Sequence, residues 1–157
     1  MNMNFDEKND LKTFILEASR ATYASGDKTL QEKQSDGSTT IRFEKGSFKY
    51  HDNYFGGEPY GGREVIFLDG KPLWMMVYYG FVFPGITNKE VYAFLMESLS
   101  NATPDMPYRG PMLFEKPGWR YENDLNGGAE KFSGIERIFK DGECVYEASY
   151  LGGLVDQ

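Results

Sequence analysis

Two glutamates occupy matching places in this sequence, and their surroundings suit acid–base chemistry. Glu64 follows Gly62 by two positions, and Glu136 follows Gly134 in the same way. Each begins a predicted strand, and a carboxyl group on the apolar face of a sheet has a raised pKa, as a general acid requires. The alternative is structural, with both carboxylates accepting hydrogen bonds from amides of the neighbouring glycine-rich loops. Both interpretations stay open.

The face on which these glutamates lie depends on the register of two hairpins. The turn at 69–70 is Asp-Gly, which favours a two-residue connection, and an Asp-Gly turn recurs in the second hairpin. Such turns predict that Glu64 lies opposite Met75 and that Glu136 lies opposite Glu147. A change of one residue in the register would turn both glutamates to the other face of the sheet.

Arg109 is the cation best placed to meet a ligand or one of these carboxylates. It lies between Pro107 and Pro111 in the segment 103–118, which holds four of the seven prolines in the chain. A guanidinium held in place by such a segment suits a carboxylate or phosphate ligand. We expect the segment to lie across a groove, with Arg109 paired either to a ligand or to one of the two glutamates.

Aromatic residues make up 16% of the chain, and several recur in matching positions. A groove that they line would hold a flat or apolar ligand, although ordinary packing of helices on a sheet explains the same pattern. The candidate ligand-binding residues are Glu64, Glu136, Tyr50, Tyr121, Trp74, Tyr78, Tyr150 and Arg109.

Other kinds of chemistry find little support in the sequence. The glycine-rich stretch 56–62 lacks the Lys and Ser/Thr of a phosphate-binding loop, and a strand follows it rather than a helix. His51 is the only histidine, so a histidine cluster for a metal ion cannot form. Cys144 is the only cysteine, and the sequence shows no nearby residue that would act as a base for its thiol. We therefore predict neither a metal site nor a cofactor.

Two stretches of the chain match each other in order and spacing. Residues 43–50 and 114–121 share four identities, and residues 62–70 and 134–142 continue the match with one inserted residue. A predicted helix precedes each stretch, with apolar residues at helical spacing. The second helix has a capping box at Thr87 with Glu90.

These patterns predict a single domain, 1–157, of the α+β class. We expect a tandem duplication of a helix plus a four-strand antiparallel meander, with internal repeats at about 8–82 and 88–155. Two such units would pack about a pseudo-twofold axis, with a concave groove where they meet. The predicted strands are 39–44, 47–54, 63–68, 72–80, 112–115, 118–125, 135–140 and 144–152.

Charge and hydropathy indicate which binding partners and which cellular compartment to expect. The net charge is −7, and Lys and Arg are scattered, so we expect no binding to nucleic acid and none to an anionic membrane surface. The longest apolar run, at 73–79, is shorter than the roughly 20 residues of a transmembrane helix. With one cysteine and no secretory signal, the chain is expected in the cytoplasm.

Five short motifs resemble a bacterial family of unknown function. They are Gly62-x-Glu64, Trp74-Met75-Met76-x-x-Tyr79-Gly80, Tyr108-Arg109-Gly110-Pro111, Phe132-Ser133-Gly134-x-Glu136 and Tyr150-x-Gly152-Gly153. The resemblance implies small free-standing proteins, or domains behind a helix-turn-helix segment, which this chain lacks. It brings no catalytic residues, but it favours a sensing role.

Three functions therefore stay open. The first is a small-molecule-binding or sensor-type domain with an aromatic, glutamate-containing groove between the repeats. The second is a homodimeric interaction protein without a ligand. The third is a small acid–base enzyme, a hydrolase or isomerase, that uses Glu64 or Glu136.

Overall fold

The computed structural model describes Met3 and residues 5–155, and within this range nine strands form one antiparallel sheet. The sheet runs in the order β1-β2-β3-β4-β5-β9-β8-β7-β6. The strands are β1 Glu32–Lys33, β2 Thr39–Lys45, β3 Phe48–Gly56, β4 Tyr60–Leu68, β5 Lys71–Val82, β6 Leu113–Lys116, β7 Trp119–Gly128, β8 Lys131–Lys140 and β9 Glu143–Leu154.

Two α-helices cover one face of this sheet in the described part of the chain. They are α1, Phe5–Ala21, and α2, Asn88–Ser100. Their buried stripes follow the predicted helical spacing, with Leu11, Phe14 and Ile15 on α1. Short 3₁₀ turns at Tyr23–Ser25 and Lys28–Leu30 then lead from α1 to β1. We call the face that bears the helices the inner face and the opposite face the outer face.

Each helix is anchored to the sheet by an aromatic contact of the same kind. Phe14 of α1 lies 4.9 Å from Phe48 of β3, measured between ring centroids. Phe94 of α2 lies 5.0 Å from Trp119 of β7. Such ring pairs add to the free energy gained from apolar burial. The helices are thereby fixed over opposite ends of the sheet.

The predicted fold class is wrong. We expected an α+β tandem duplication of two helix-plus-meander units about a pseudo-twofold axis, whereas the described chain forms one nine-stranded sheet with 51% strand and 24% helix. The strands β5 and β9 pair with each other from Trp74↔Leu154 to Val82↔Tyr146, so hydrogen bonds occupy the place of the expected groove. Sequence periodicity predicts strands, but it does not say which strand edges meet.

The register of the two long hairpins also differs from the prediction, although the turns are correct. Asp69 and Asp141 have φ values of 50° and 49°, as a two-residue Asp-Gly turn requires. Each hairpin then contains a bulge, which places Leu73 and Val145 as extra residues in β5 and β9.

The bulges change which residues of β5 and β9 share a face with the two glutamates. Glu64 lies opposite Met76 rather than Met75. Glu136 lies opposite Ala148 rather than Glu147. Both glutamates therefore lie on the inner face, beneath the helices.

Candidate functional site

A buried ion pair joins Arg109 to Glu136 on the inner face. Arg109 Nη2 lies 2.5 Å from Glu136 Oε1, and Arg109 Nε lies 3.1 Å from the same oxygen. Arg109 is 6% exposed and Glu136 is fully buried. The hypothesis that Arg109 pairs with one of the two glutamates is confirmed. Burial opposes the charge of the guanidinium, but Glu136 together with Tyr60 and Tyr146 outweighs this effect and holds the pKa of Arg109 well above its usual value.

Tyrosine hydroxyls complete the surroundings of Glu136. Tyr121 donates a hydrogen bond of 2.6 Å to Oε2, and Tyr146 donates one of 2.9 Å to Oε1. The hydroxyl of Tyr60 lies 2.5 Å from that of Tyr146. Burial, followed by the charge of Glu136, raises the pKa of Tyr121 and Tyr146 well above the usual value. Both oxygens of Glu136 are thus engaged by protein groups, as in a structural ion pair.

The same cluster fixes the proline-rich segment to the sheet. The amide of Gly110 donates to the Tyr121 hydroxyl at 3.0 Å, and Asn123 Nδ2 donates to the carbonyl of Gly110 at 2.9 Å. A Cβ atom at position 110 would lie 2.6 Å from the ring of Tyr121, so only glycine allows this approach. The segment thereby holds Arg109 in place against Glu136.

A second pair of carboxyl groups lies on the neighbouring strands β3 and β4. Asp52 and Glu64 are directly opposite each other in the register, which places their Cβ atoms about 5 Å apart. Asp52 is 3% exposed, and Glu64 is half-buried. The Tyr78 hydroxyl donates to Asp52 Oδ1 at 2.5 Å, and Tyr50 is a hydrogen-bond partner of Glu64. We call Asp52 and Glu64 the carboxyl pair.

The glycine before Glu64 explains how Tyr78 reaches Asp52. Tyr78 lies on β5 opposite Gly62 of β4, and Asp52 lies on β3, one strand further. A Cβ atom at position 62 would lie 2.7 Å from the Tyr78 hydroxyl, so a side chain there would block its path. The Gly-x-Glu motif therefore combines an open path for a tyrosine with a carboxylate on the same face.

A cavity of about 630 Å³ opens above the carboxyl pair. Asp52, Glu64, Tyr78 and Arg109 contribute to its lining, and α2 and the segment between α1 and β1 contribute the facing wall. Its aromatic lining residues are Tyr23, Tyr54, Tyr60, Tyr78 and Tyr92. Lys28, Lys33 and Lys89 also line it and are exposed, as is Asp27, so three lysines and one acid lie at the mouth while carboxyl groups form the floor.

Burial makes both members of the carboxyl pair weak acids. It raises the pKa of Asp52 to about 6, against the opposing effects of the Tyr78 hydrogen bond and the Arg109 charge. It raises the pKa of Glu64 to about 8, with the Asp52 carboxylate as the next cause. Groups this close titrate as a pair. Between these two pH values, the pair therefore holds one proton between its two carboxyl groups.

The corresponding region of the second half of the sheet contains an aromatic stack. Phe132 lies 4.4 Å from Tyr108 and 5.4 Å from Trp74, measured between ring centroids, with nearly parallel planes. Phe132 follows the position of Tyr60 by 72 residues, as Glu136 follows Glu64. The two regions therefore differ in what lies above the glutamate: a cavity over Glu64, and packed rings together with Arg109 at Glu136.

The structure divides the predicted site residues into two groups. Glu64, Tyr78 and Arg109 line the cavity. Tyr50 is a hydrogen-bond partner of Glu64, while Tyr121 and Glu136 belong to the Arg109 cluster. Tyr150 donates a hydrogen bond of 2.6 Å to Asn123, and Trp74 lies in the aromatic stack.

Sequence reasoning missed several residues of the cavity. Asp52, Tyr60 and Tyr92 were not among the candidate ligand-binding residues. Glu58, next to the cavity, accepts hydrogen bonds from the Val82 amide, at 2.7 Å, and from the Tyr92 hydroxyl. Side chains alternate along β3, which places Tyr50 and Asp52 on the same face. This alternation could have predicted that Asp52 lies beside the candidate residue Tyr50.

The comparison with known families adds one decisive match. A family model described as a domain of unknown function, DUF5680, matches residues 52–155, about two thirds of the chain. The chain belongs to the DUF5680 family. No curated protein and no solved structure matches it significantly.

The DUF5680 match includes the buried and half-buried charged groups at the site. Asp52, Glu64, Arg109 and Glu136 all lie within residues 52–155. The helix α1, Tyr23 and the first part of the cavity wall precede this range. Among the residues described here, no group of three or more His, Cys, Asp or Glu side chains is placed to hold a metal ion. In the same part of the chain, no helix has the length and apolar character needed to cross a membrane.

Proposed function

We propose that this DUF5680 protein binds a small molecule in the cavity above Asp52 and Glu64. The observation that carries the proposal is the cavity itself, about 630 Å³ in volume, with tyrosine walls and convergent carboxyl groups at its floor. Sites for small molecules are concave, mostly apolar, and oriented by a few polar groups, with volumes of about 300–1,000 Å³. The protein builds the floor rigidly, because the central strands of the sheet hold Asp52, Glu64 and Tyr78.

A sensor-type role in the cytoplasm is part of this proposal. The wall facing the sheet consists of α2 and the segment between α1 and β1, both outside the central strands. A ligand that contacts both the floor and this wall would favour the conformation in which they are closed together. Ligand occupancy would then change the surface that α2 and this segment present to another molecule.

The test is native mass spectrometry of freshly purified protein, with a variant that fills the cavity. Ala93 lies on α2 and lines the cavity, so Ala93→Trp should occupy the space without changing the carboxyl pair. The expected result is a co-purified small molecule in the wild type and its loss in Ala93→Trp. Ser100→Trp, at the exposed end of the same helix, is the matched control and should keep the ligand. Equal occupancy in all three proteins would contradict the proposal.

An acid–base enzyme is the second candidate, favoured by the different pKa values of the carboxyl pair. Asp52, with a pKa of about 6, and Glu64, with a pKa of about 8, have the division into base and acid that such catalysis needs. Glu136 does not suit this role, because Arg109, Tyr121 and Tyr146 engage it. A hydrolase or isomerase of this kind should show a bell-shaped pH profile that Glu64→Gln abolishes.

A homodimer is the third candidate, favoured by apolar side chains on the outer face. Val77, Tyr79 and Leu151 lie close together on β5 and β9 and are 37%, 54% and 58% exposed. Exposed apolar patches often mark interaction surfaces. Light scattering should report a dimer that Leu151→Asp converts to a monomer. A wild type that stays monomeric at high concentration would remove this candidate.

A further inference from the structure

The floor of the cavity has more buried negative charge than the protein itself balances. Among the residues that the structure describes, Arg109 is the only buried basic side chain, whereas Asp52 and Glu136 are buried acids and Glu64 is half-buried. Arg109 directs both Nε and Nη2 to Glu136. A buried carboxylate requires a paired cation or a bound proton. The carboxyl pair is therefore left to share its charge with protons or with a ligand.

The second half of the sheet shows what a balanced version of this arrangement looks like. Asn123 stands opposite Glu136 there, as Asp52 stands opposite Glu64. Asn123 is uncharged, so Glu136 is the single carboxylate and Arg109 neutralises it. The first half has one acid more, no buried guanidinium of its own among the described residues, and an open cavity in place of packed rings. All three differences occur at the cavity above Asp52 and Glu64.

The walls of the cavity suit a positively charged group. Tyrosine rings attract cations through their negative faces, and Tyr23, Tyr54, Tyr60 and Tyr92 line the space together with Tyr78. The guanidinium carbon of Arg109 already lies 5.8 Å from the centre of the Tyr78 ring. The lysines at the mouth are exposed, and Lys33 Nζ is held there by Thr39 Oγ1 at 2.7 Å.

We propose that the ligand of this cavity is an organic cation, an amine or amidine on a flat apolar body, whose charged nitrogen lies between Asp52 and Glu64. This inference rests on the proposed function, since it names the class of molecule that the same cavity binds. The apolar body would lie against the tyrosine walls. The nitrogen would supply the positive charge that Arg109 supplies to Glu136.

A cation must displace the proton that the carboxyl pair holds, so its affinity should rise with pH. The groups that face the pair on the sheet are Tyr50, Tyr78 and Glu136, and Arg109 faces it from the proline-rich segment. From the opposite wall, the titratable groups are Tyr23, Tyr92, Asp27 and the lysines at the mouth. Hydrogen bonds from Thr29 lower the pKa of Asp27, so this acid stays ionised in the range considered. Burial raises the pKa of Tyr78, Tyr23 and Tyr92. The carboxyl pair is therefore the group that changes charge between pH 5.5 and 8.5.

The test uses three indole compounds of one size and different charge: tryptamine, the alcohol tryptophol and the anion indole-3-propionate. Isothermal titration calorimetry of the full chain should show that tryptamine binds at least about tenfold more tightly than either analogue. Binding should tighten from pH 5.5 to 8.5 and should release protons, which calorimetry in buffers of different ionisation enthalpy detects. Tighter or equal binding of the alcohol or the anion would overturn the inference, as would affinity that falls as pH rises.

Asp52→Asn is the decisive variant, because Asn123 already fills the equivalent place and accepts the equivalent tyrosine hydrogen bond. It should keep the fold and weaken the binding of tryptamine by about tenfold or more. Asp124→Asn, an exposed control on β7, should leave the affinity for tryptamine unchanged. Undiminished binding in Asp52→Asn would also overturn the inference. If none of the three compounds binds the wild type, the inference fails, while loss of a co-purified molecule in Ala93→Trp still supports the proposed function.

Discussion

Asp52 and Asn123 each accept a hydrogen bond from a tyrosine hydroxyl that reaches across a glycine on the intervening strand. Tyr78 donates to Asp52 at 2.5 Å, and Tyr150 donates to Asn123 at 2.6 Å. The geometry is the same, but one acceptor is an acid and the other is an amide. This difference is one of those that distinguish the carboxyl pair, with its unbalanced charge, from Glu136, which forms an ion pair with Arg109. It also supplies a variant whose geometry the protein already contains.

Glu136→Gln should strongly destabilise the protein. Removing this carboxylate leaves Arg109 buried without its partner, and breaking a buried ion pair in this way costs about 3–5 kcal/mol. Urea unfolding followed by circular dichroism measures the loss. Glu147→Gln is the control, since it removes a half-exposed ion pair with Arg137 on the outer face and should cost at most about 1 kcal/mol.

The double variant Arg109→Met with Glu136→Gln checks the cause of that loss. If the unpaired guanidinium is responsible, the double variant should be more stable than the sum of the single effects predicts, by about 1–3 kcal/mol. Additive losses would mean that Glu136 stabilises the fold chiefly through Tyr121 and Tyr146.

Glu64→Gln should have a small effect at low pH and a stabilising one at high pH. Burial raises the pKa of Glu64 to about 8, with Asp52 as a further cause. The folded state therefore binds this proton more tightly than the unfolded state, so the stabilisation is complete below the usual pKa and is lost as pH rises through about 8. Gln resembles the protonated form and does not titrate. Thermal melts from pH 5.5 to 9 should show a flatter pH dependence in the variant, while Glu115→Gln on the exposed strand β6 should follow the wild type.

Tyr108→Phe should leave stability unchanged or increase it. The Tyr108 hydroxyl is buried and finds no hydrogen-bond partner among the described residues, and removing an unpaired polar group costs little. Tyr121→Phe is the contrasting case, because its hydroxyl donates to Glu136 and accepts from Gly110. That variant should lose about 1–3 kcal/mol in urea unfolding. Equal losses from both substitutions would show that Tyr108 has a partner, such as a buried water.

Gly134→Ala should disrupt the path of Tyr150 to Asn123. A Cβ atom at this position would lie 2.3 Å from the Tyr150 hydroxyl, so the ring must move. Overpacking of this kind costs about 1–3 kcal/mol. Gly128→Ala is the matched control at the end of β7, where a Cβ atom meets no atom within 4 Å among the described residues. A crystal structure of Gly134→Ala should show Tyr150 displaced from Asn123.

Local patterns in the sequence were sufficient to predict both helices, eight of the nine strands that the structure describes, and some of the site. The helical spacing predicted α2, and the residues at that spacing, Val91, Phe94, Leu95, Ser98 and Leu99, are all buried. The Asp-Gly pairs predicted the turns, because few residues tolerate their positive φ values. The resemblance to a family of unknown function is confirmed by the DUF5680 match.

The tertiary structure alone decided which faces and edges meet. The bulges at Leu73 and Val145 place both glutamates on the inner face. The carbonyl of Leu73 accepts a hydrogen bond of 2.9 Å from the amide of Val155, and the carbonyl of Val145 accepts one of 2.8 Å from the amide of Phe83. Such contacts leave no trace in a local pattern, because their partners lie more than 60 residues away in the chain. Pairing of β5 with β9 likewise depends on the whole sheet. The same long-range packing pairs Arg109 with Glu136 and leaves Asp52 and Glu64 facing a cavity.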